Sequence, residues 1–307
     1  MGVSTGIVSS LDRSIGNTPL VGLQRIVPRQ AGHVFVKLEY LNPGGSVKDR
    51  PALAIIRAAV RDGRLRSGTT LLDASSGNTA IGYAMLCAER GYGCEICLPG
   101  NASPGRQAVL RRSGATLVIT DSLEGSDGAI REARRRAAAW PDRYFYADQY
   151  NNPENVRAHY VTTGVELWQQ TLGRVTHLVV ALGTSGTFVG AGHRLREYNP
   201  AIRLVAVQPD SPLHGVEGVK HMASAIVPGI YDPALAEATL TVTTEEAQAT
   251  ADRLVREEGL LSGTSGGANV AAALRVAANA GPDAVVVTLI PDGGEPHLSE
   301  RLRETAR

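Results

Sequence analysis

Residues 42–50 of this 307-residue chain read Asn42-Pro43-Gly44-Gly45-Ser46-Val47-Lys48-Asp49-Arg50. An apolar strand pattern at 34–38 precedes this stretch, and a helical pattern follows it, with Pro51 suited to the first turn and Gly63 to the end. Lys48 is therefore predicted at a helix N-terminus, where the backbone dipole disfavours a cation and lowers the pKa of the amine. Such a lysine can form a Schiff base, whereas the alternative is an ordinary surface lysine beside a loop.

Strand-like and helix-like segments alternate outward from this stretch along almost the whole chain. Strands are predicted at 34–38, 70–73, 94–98, 116–119, 143–146, 178–182, 203–207, 239–242 and 284–290. Helices are predicted at 49–62, 79–90, 104–113, 126–139, 154–171, 187–197, 245–258 and 266–279. Several of the strands are continuous apolar runs, which are typical of strands buried on both faces. The alternation predicts an α/β fold with largely parallel sheets, whose ligands bind at the carboxyl ends of the strands.

Composition describes an ordinary globular protein, with 43% hydrophobic and 20% charged residues and a length that predicts roughly two domains. The net charge of +1 gives no electrostatic preference for nucleic acid or for an anionic membrane. The basic run at 131–136 lies in an Ala-rich helical pattern and is interpreted as a solvated helix face. Because no signal-peptide pattern and no apolar run of membrane-spanning length occurs, we expect a cytoplasmic protein without nucleic-acid or membrane partners.

Three cysteines, Cys87, Cys94 and Cys97, are too few for a disulfide framework. Cys94 and Cys97 fall three residues apart in a predicted strand, so their side chains point to opposite faces and do not grip one metal ion. No second Cys or His pair occurs at zinc-binding spacing. We therefore expect structural thiols and no metal site.

Three strand-to-helix or helix-to-helix junctions are rich in small polar residues. The first, Ser75-Ser76-Gly77-Asn78-Thr79, offers hydroxyl, amide and free N–H groups for a carboxylate, with ordinary helix capping as the alternative. The second, Gly183-Thr184-Ser185-Gly186-Thr187, has the composition of a phosphate cradle, although its spacing is neither that of a P-loop nor that of a dinucleotide-binding turn. The third, Gly263-Thr264-Ser265-Gly266-Gly267, presents a serine between glycines, which also commonly close helices.

Together these segments resemble the fold-type II pyridoxal-phosphate enzymes, and specifically the cysteine synthase (O-acetylserine sulfhydrylase) family. The similarity covers nearly the whole chain and rests on motifs in family order: Gly16-Asn17-Thr18-Pro19-Leu20, residues 42–50, residues 76–79 and residues 183–187. The segments Gln149-Tyr150-Asn151-Asn152-Pro153, His159-Tyr160 and 162–168 are most similar to the B isoform. The resemblance implies a tryptophan-synthase-β-like α/β fold, with two doubly wound, mostly parallel sheet domains and the cofactor between them. It places a large cofactor-binding domain at 1–40 and 153–307 and a smaller mobile domain at 41–152.

The resemblance also assigns roles to single residues. Lys48 would carry pyridoxal 5′-phosphate as a Schiff base and act as general base and acid at Cα, and Asn78 would hydrogen-bond the cofactor's phenolic oxygen. Ser265 would face the pyridine nitrogen, where a neutral serine makes a milder electron sink than a carboxylate and favours loss of a β leaving group. The phosphate would lie on Gly183, Thr184, Ser185, Gly186 and Thr187. The substrate carboxylate would lie on Ser75, Ser76, Thr79 and Gln149.

The implied reaction is β-replacement through an aminoacrylate, giving L-cysteine from O-acetylserine, or O-phosphoserine, and sulfide or another sulfur donor. The implied assembly is a homodimer. Within the family, cystathionine β-synthase-like and serine or threonine dehydratase activities stay open. Among other classes, a nicotinamide-dependent oxidoreductase would need a Gly-x-Gly-x-x-Gly turn, which is absent, and a non-catalytic metabolite-binding protein would have no use for Lys48.

Two departures from the family pattern bear on the substrate. Pro296-His297 stands where the family usually has a basic residue and tyrosine, which puts the usual tail contacts in doubt. Lys220 lies where some relatives carry a basic residue near the substrate entrance. We expect Lys220 to contact an anionic group such as a substrate phosphate, with a solvent-exposed lysine in a mobile loop as the alternative.

Overall fold

Two β-sheets with helices packed on them make up the structure, a computed structural model that describes residues 10–75 and 77–294. The predictions for Ser76, Pro296 and His297 therefore lie outside the described residues. The alternation of apolar strands and amphipathic helices produces the expected α/β architecture, because each parallel strand needs a crossover helix that covers a sheet face.

The larger sheet has six strands in the order β1-β2-β10-β7-β8-β9, and only β1 runs antiparallel to its neighbour. Its strands are β1 (Leu20–Gly22), β2 (His33–Leu38), β7 (His177–Ala181), β8 (Arg203–Pro209), β9 (Ala238–Val242) and β10 (Val285–Ile290). The central strands β7 and β10 are almost wholly buried, as their apolar runs predicted. The three-residue strand β1 was not predicted, since it is too short to show alternation.

The smaller sheet has four parallel strands in the order β5-β4-β3-β6. Its strands are β3 (Thr70–Ala74), β4 (Gly93–Pro99), β5 (Thr116–Thr120) and β6 (Tyr144–Tyr146). All four fall within the predicted small domain at 41–152, and the six strands of the larger sheet fall outside that range. The domain boundaries themselves, and the mobility of the small domain, stay predictions.

Nine α-helices are described in residues 10–75 and 77–294. They are α1 (Asp49–Arg61), α2 (Asn78–Arg90), α3 (Pro104–Arg112), α4 (Gly125–Ala139), α5 (Pro153–Val161), α6 (Thr163–Gln170), α7 (Gly186–Tyr198), α8 (Thr244–Arg253) and α9 (Thr264–Ala280). The predicted helix at 154–171 is wrong as a single helix, because Thr162 leaves helical geometry between α5 and α6. Three successive β-branched residues, Val161, Thr162 and Thr163, lower helix propensity at this point.

The cysteines, the potential metal ligands and the apolar character of the helices were considered in the sequence, and the structure describes each of them. Cys87, Cys94 and Cys97 are buried and unbridged, with Cys94 and Cys97 on β4 as predicted. No group of three or more potential metal ligands occurs among residues 10–75 and 77–294. Within the same residues, none of the helices combines the length and the apolar character needed to cross a membrane.

Candidate active site

A cleft opens at the carboxyl ends of β3, β6, β7 and β10, the location that the parallel-sheet rule predicts. It brings together residues that are far apart in the sequence. The predicted site residues that line it are Lys48, Ser75, Asn78, Thr79, Gln149, Gly183, Thr184, Ser185, Thr187, Lys220 and Ser265. Gly186 does not line the cleft but begins the helix behind it.

Lys48 directly precedes α1 and lines the centre of the cleft. Burial lowers the pKa of its amine below the ordinary lysine value, and the nearby charges of Asp292 and Glu39 oppose that shift only in part. The main cause is thus desolvation, whereas the sequence argument named the helix dipole. Across residues 10–75 and 77–294 the Lys48 amine makes no hydrogen bond or ion pair, so it is available to react.

Asn78 is the first residue of α2, and its side-chain amide donates to Asp292 Oδ2 at 2.7 Å. Asp292 directly follows β10 and forms an isolated bridge with Ser46, two residues before Lys48. Its second carboxylate oxygen is buried and has no hydrogen-bond partner in the described part of the chain. Asp292 thus fixes the orientation of the Asn78 amide. Sequence reasoning missed Asp292, although its position just after an apolar strand was a usable signal.

Two buried residues, Asp73 and Gln149, support the start of α2 and the end of β3, where the substrate carboxylate was predicted to bind. Gln149 accepts from the Thr79 hydroxyl at 2.8 Å and donates its amide to Ala74 O at 2.7 Å. Asp73 accepts from the backbone N–H of Gln149, and burial raises the pKa of its carboxyl to about 7. Ser75 Oγ accepts from the N–H groups of two following residues, so it also serves the local capping role that was the alternative.

The glycine-rich loop ends where α7 begins, with free N–H groups at the helix start. Ser185 has a left-handed φ of 69°, which is unusual for a residue with a side chain. Its hydroxyl is buried and finds no partner among residues 10–75 and 77–294. A phosphate group fits this loop, because it would supply acceptors both for the unpaired hydroxyl and for the helix N–H groups.

Two residues that sequence reasoning did not assign support this loop from behind. Asn155 donates to Thr184 Oγ1 at 3.0 Å and to Gln149 O at 2.8 Å, which links the glycine-rich loop to the residue that bonds Thr79. His159 lies between Thr163 Oγ1 at 2.9 Å and Thr187 Oγ1 at 3.2 Å. Burial lowers the pKa of His159 to about 3, so the imidazole beneath the loop is neutral.

Ser265 lies in the first turn of α9 and faces the cleft. Asn269 bonds this helix to the larger sheet: its side chain accepts from Ala181 N on β7 and donates to Leu289 O on β10. Because α9 is bonded to both β7 and β10, Ser265 is held in place at the lining of the cleft.

Lys220 is only 8% exposed, so the alternative of a solvent-exposed lysine is wrong. Its ammonium lies 3.1 Å from Asp127 Oδ1 and 5.1 Å from the centre of the Tyr150 ring. It lines the cleft, as expected for an anion contact, but its charge is already balanced by an aspartate.

Behind Lys48 lies a buried ionic cluster formed by Lys37, Glu39, Arg50 and Glu166. Arg50 makes two hydrogen bonds to each glutamate, at 2.7–2.8 Å. Thr18 donates to Glu39 at 2.7 Å. Three motifs that carried the family resemblance therefore meet in one cluster: residues 16–20, 42–50 and 162–168.

Known proteins with the same sequence pattern and fold were found by comparison. Residues 11–292 match the family described as pyridoxal-phosphate dependent enzyme. The chain is 44% identical to a cysteine synthase of Aquifex aeolicus over 294 residues, which are 94% of this chain and 90% of the relative. It is 42% identical to cysteine synthase B of Escherichia coli over 292 residues, 95% of each chain.

Solved structures agree with these sequence matches. A cysteine synthase from Entamoeba histolytica superposes with a TM-score of 0.92 at 33% identity, covering 99% of this chain and 93% of that one. An O-ureido-L-serine synthase superposes with a TM-score of 0.91 at 36% identity, covering 98% and 97%. The predicted fold and cofactor are confirmed, and the chain belongs to the cysteine synthase family of pyridoxal-phosphate-dependent enzymes.

Proposed function

We propose that this protein makes L-cysteine from O-acetylserine and sulfide by β-replacement, with pyridoxal 5′-phosphate bound in the cleft. One observation carries the proposal: within the part of the chain that the structure describes, Lys48 is a half-buried amine with no hydrogen-bond or ion-pair partner. It lies in the same cleft as a glycine-rich loop whose buried Ser185 hydroxyl also has no partner there. The names of the relatives, cysteine synthase and cysteine synthase B, support the choice of reaction.

We assign the cofactor to residues that fit its parts. Residues 183–187 would hold the phosphate, Asn78 would donate to the phenolic oxygen, Ser265 would meet the pyridine nitrogen and Lys48 would link to the carbonyl carbon. When bound, pyridoxal phosphate supplies an electron sink for the charge that develops at Cα. The neutral Ser265 leaves that sink mild, which favours departure of a β leaving group over transamination.

Lys48 moves the proton in the proposed reaction. Its amine takes the proton from Cα, and the Cβ–O bond breaks so that acetate leaves with the bonding electrons. Sulfide then forms the S–C bond at Cβ, and Lys48 returns a proton to Cα. The lowered pKa of the amine helps this cycle, because it increases the share of the neutral form that accepts the proton.

The substrate carboxylate is assigned to residues 75–79, Ser76 included, together with Gln149. Thr79 and Gln149 are almost fully buried and hydrogen-bonded to each other. Because the wall is thus ordered before substrate arrives, little side-chain entropy is lost on binding. The predicted mobile domain at 41–152 would close over the bound carboxylate and exclude water from the reacting carbon.

We also propose that Lys220 sets the preference between O-acetylserine and O-phosphoserine. Asp127 neutralises the Lys220 charge, which favours the uncharged acetyl group, whereas a substrate phosphate must replace Asp127. Asp127→Asn should therefore raise the efficiency with O-phosphoserine relative to O-acetylserine, and Lys220→Ala should lower it. Unchanged relative efficiency in both variants would contradict a role for Lys220 in anion recognition.

The main test is an absorbance spectrum of the purified protein before and after O-acetylserine, followed by a cysteine assay with sulfide. We expect a visible cofactor band that shifts with O-acetylserine and returns when sulfide is added. A protein that stays colourless after incubation with pyridoxal phosphate would contradict the proposal.

Two alternatives within the family give different products in the same assay. A dehydratase would release pyruvate or an oxo-acid from serine or threonine, and a cystathionine β-synthase-like enzyme would use homocysteine in place of sulfide. We further propose a homodimer. Light scattering on the eluting protein should give twice the chain mass of 32.3 kDa.

A further inference from the structure

Two ion pairs cross the mouth of the cleft, and neither was expected from the sequence. Arg106, on α3, pairs with Glu217 at 2.6 Å. Asp127, on α4, pairs with Lys220 at 3.1 Å. In each pair one partner belongs to the helices of the four-stranded sheet, and the other belongs to the connection between β8 and β9. Arg106, Glu217 and Lys220 line the cleft itself.

The segment 217–220 is anchored at both ends to the proposed cofactor site. The N–H of Glu217 donates to Thr264 Oγ1 at 3.2 Å, next to Ser265. The N–H of Lys220 donates to Leu182 O at 2.7 Å, next to the glycine-rich loop. Between them, Gly218 O packs so closely on Gly183 that a side-chain carbon there would lie 2.1 Å away. The segment is therefore a rigid base for its two charged side chains.

Arg106 also contacts the carboxylate-binding loop. Its side chain is 9% exposed, and its guanidinium packs on Gly77, where an added side-chain carbon would lie 3.1 Å from it. One arginine thus touches the proposed substrate wall and reaches across the cleft to Glu217. Arg106 therefore couples the conformation of the proposed substrate wall to closure of the cleft.

We propose that the pairs Arg106–Glu217 and Asp127–Lys220 form an ionic clasp, and that Arg106 and Glu217 are positioning residues that keep water from the reacting carbon. This inference rests on the proposed function. After acetate leaves, the β-carbon has two fates. Sulfide addition gives cysteine, whereas abortive release and hydrolysis consume one water and give pyruvate and ammonia. The clasp decides how the reaction divides between these products. An open cleft admits water and lets the rest of the substrate leave before sulfide adds to the β-carbon.

The test measures pyruvate and cysteine together, using the holoenzyme with O-acetylserine and limiting sulfide. Glu217→Gln keeps the size of the side chain and removes its charge. We expect the ratio of pyruvate to cysteine to rise about tenfold, which corresponds to roughly 1.4 kcal/mol in the closing equilibrium. Because Glu217 is 42% exposed, high salt should raise the ratio in the wild type. The effect should be smaller in this variant, which keeps only the more buried pair of Asp127 and Lys220.

A matched control is Glu257→Gln, which removes an ion pair with Arg253 outside the cleft lining. Its product ratio should equal that of the wild type. Arg106→Gln combined with Glu217→Gln should be no worse than the more severe single variant, because the two residues act as a pair. A Glu217→Gln ratio within about twofold of the wild type, well below the tenfold step, would overturn the proposal.

A second readout separates failure of the clasp from failure of the proposed function. Amide hydrogen exchange in α3 should be faster in the Glu217→Gln holoenzyme than in the wild type and in Glu257→Gln. If the wild type makes no cysteine, the proposed reaction is wrong, and exchange still reports on the clasp. If the wild type makes cysteine but exchange in α3 is unchanged in Glu217→Gln, only the clasp is overturned.

Discussion

Lys48 is one of three lysines in the sequence, and the other two are already paired. Lys37 lies 2.7 Å from Glu166 and Lys220 lies 3.1 Å from Asp127. The amines of Lys37 and Lys220 are thus engaged by carboxylates, whereas the Lys48 amine has no ion pair among residues 10–75 and 77–294. Burial also lowers the pKa of Lys48, and a neutral, unengaged amine is the nucleophile that a Schiff base needs.

We therefore predict that the cofactor attaches to Lys48 alone. Borohydride reduction of the holoenzyme, digestion and mass spectrometry should place the added mass on the peptide that contains residue 48. Label on the peptide with Lys37 or Lys220 would contradict the assignment. Lys48→Ala should lower the rate of cysteine formation by about three orders of magnitude while leaving the fold intact.

His159 should make the protein sensitive to acid. Its pKa is about 3 in the folded protein and 6.5 as the ordinary value, so between these limits the unfolded chain binds more protons. Stability therefore falls as pH is lowered from 6.5 towards 3, and the neutral imidazole is fully favoured only above that window. Urea unfolding at pH 7 and at about pH 4.5 measures how much free energy of unfolding each protein loses on acidification. The loss should be about 2 kcal/mol smaller for His159→Gln than for the wild type. Equal losses in both proteins would show that His159 is not the buried neutral group described.

We assign the cofactor phosphate to the loop before α7, and packing requires the glycines of that loop. A side-chain carbon on Gly186 would lie 2.0 Å from Asn155 Oδ1, and Asn155 is the residue that bridges Thr184 and Gln149. Crowding at Gly186 therefore disturbs both the phosphate loop and the carboxylate wall.

Gly186→Ala should weaken binding of pyridoxal phosphate to the apoprotein at least about tenfold. The added methyl group overpacks the contact with Asn155, which has little room to move. Titration with the cofactor, followed by protein fluorescence, measures the affinity. Gly105→Ala on α3 is the matched control, because no atom lies within 4 Å of the new carbon. It should leave cofactor affinity unchanged and stabilise the helix by roughly 0.5–1 kcal/mol. Equal affinities in the two variants would remove the packing argument.

At the scale of the whole molecule, the buried ionic cluster joins the N-terminal segment, the six-stranded sheet, α1 and α6. Burial opposes ionisation of Glu166, yet the hydrogen bonds and charge of Arg50 lower the pKa of its carboxyl to about 2. That stabilisation is present above the ordinary pKa of 4.5 and is lost as pH falls towards 2.

Glu166→Gln should lower the free energy of unfolding by about 3 kcal/mol at neutral pH, because Lys37 and Arg50 are left buried with too little negative charge. Urea unfolding followed by circular dichroism measures the change. Glu257→Gln, which removes a solvent-screened pair with Arg253, should have a much smaller effect. If the two variants lose similar free energy, the cluster is not a centre of stability.

The sequence by itself determined the alternation of elements, the parallel sheets, the family and the loops that form the cleft. These follow from local information: periodicity, glycines at strand ends, and short motifs whose spacing is fixed by the turns they make. The sequence did not predict short or interrupted elements, such as β1 and the break at Thr162, because local conformational preference is weak there.

Only the tertiary structure brought together residues that have no local signature. Asp292 meets Asn78 across more than two hundred positions, and Arg106 meets Glu217 across more than one hundred. The largest effect on the Lys48 pKa, desolvation, also depends on which segments cover the amine. Ion pairs and burial are properties of the folded arrangement. The sequence shows that a residue is charged, but it does not show whether its partner is water or a buried carboxylate.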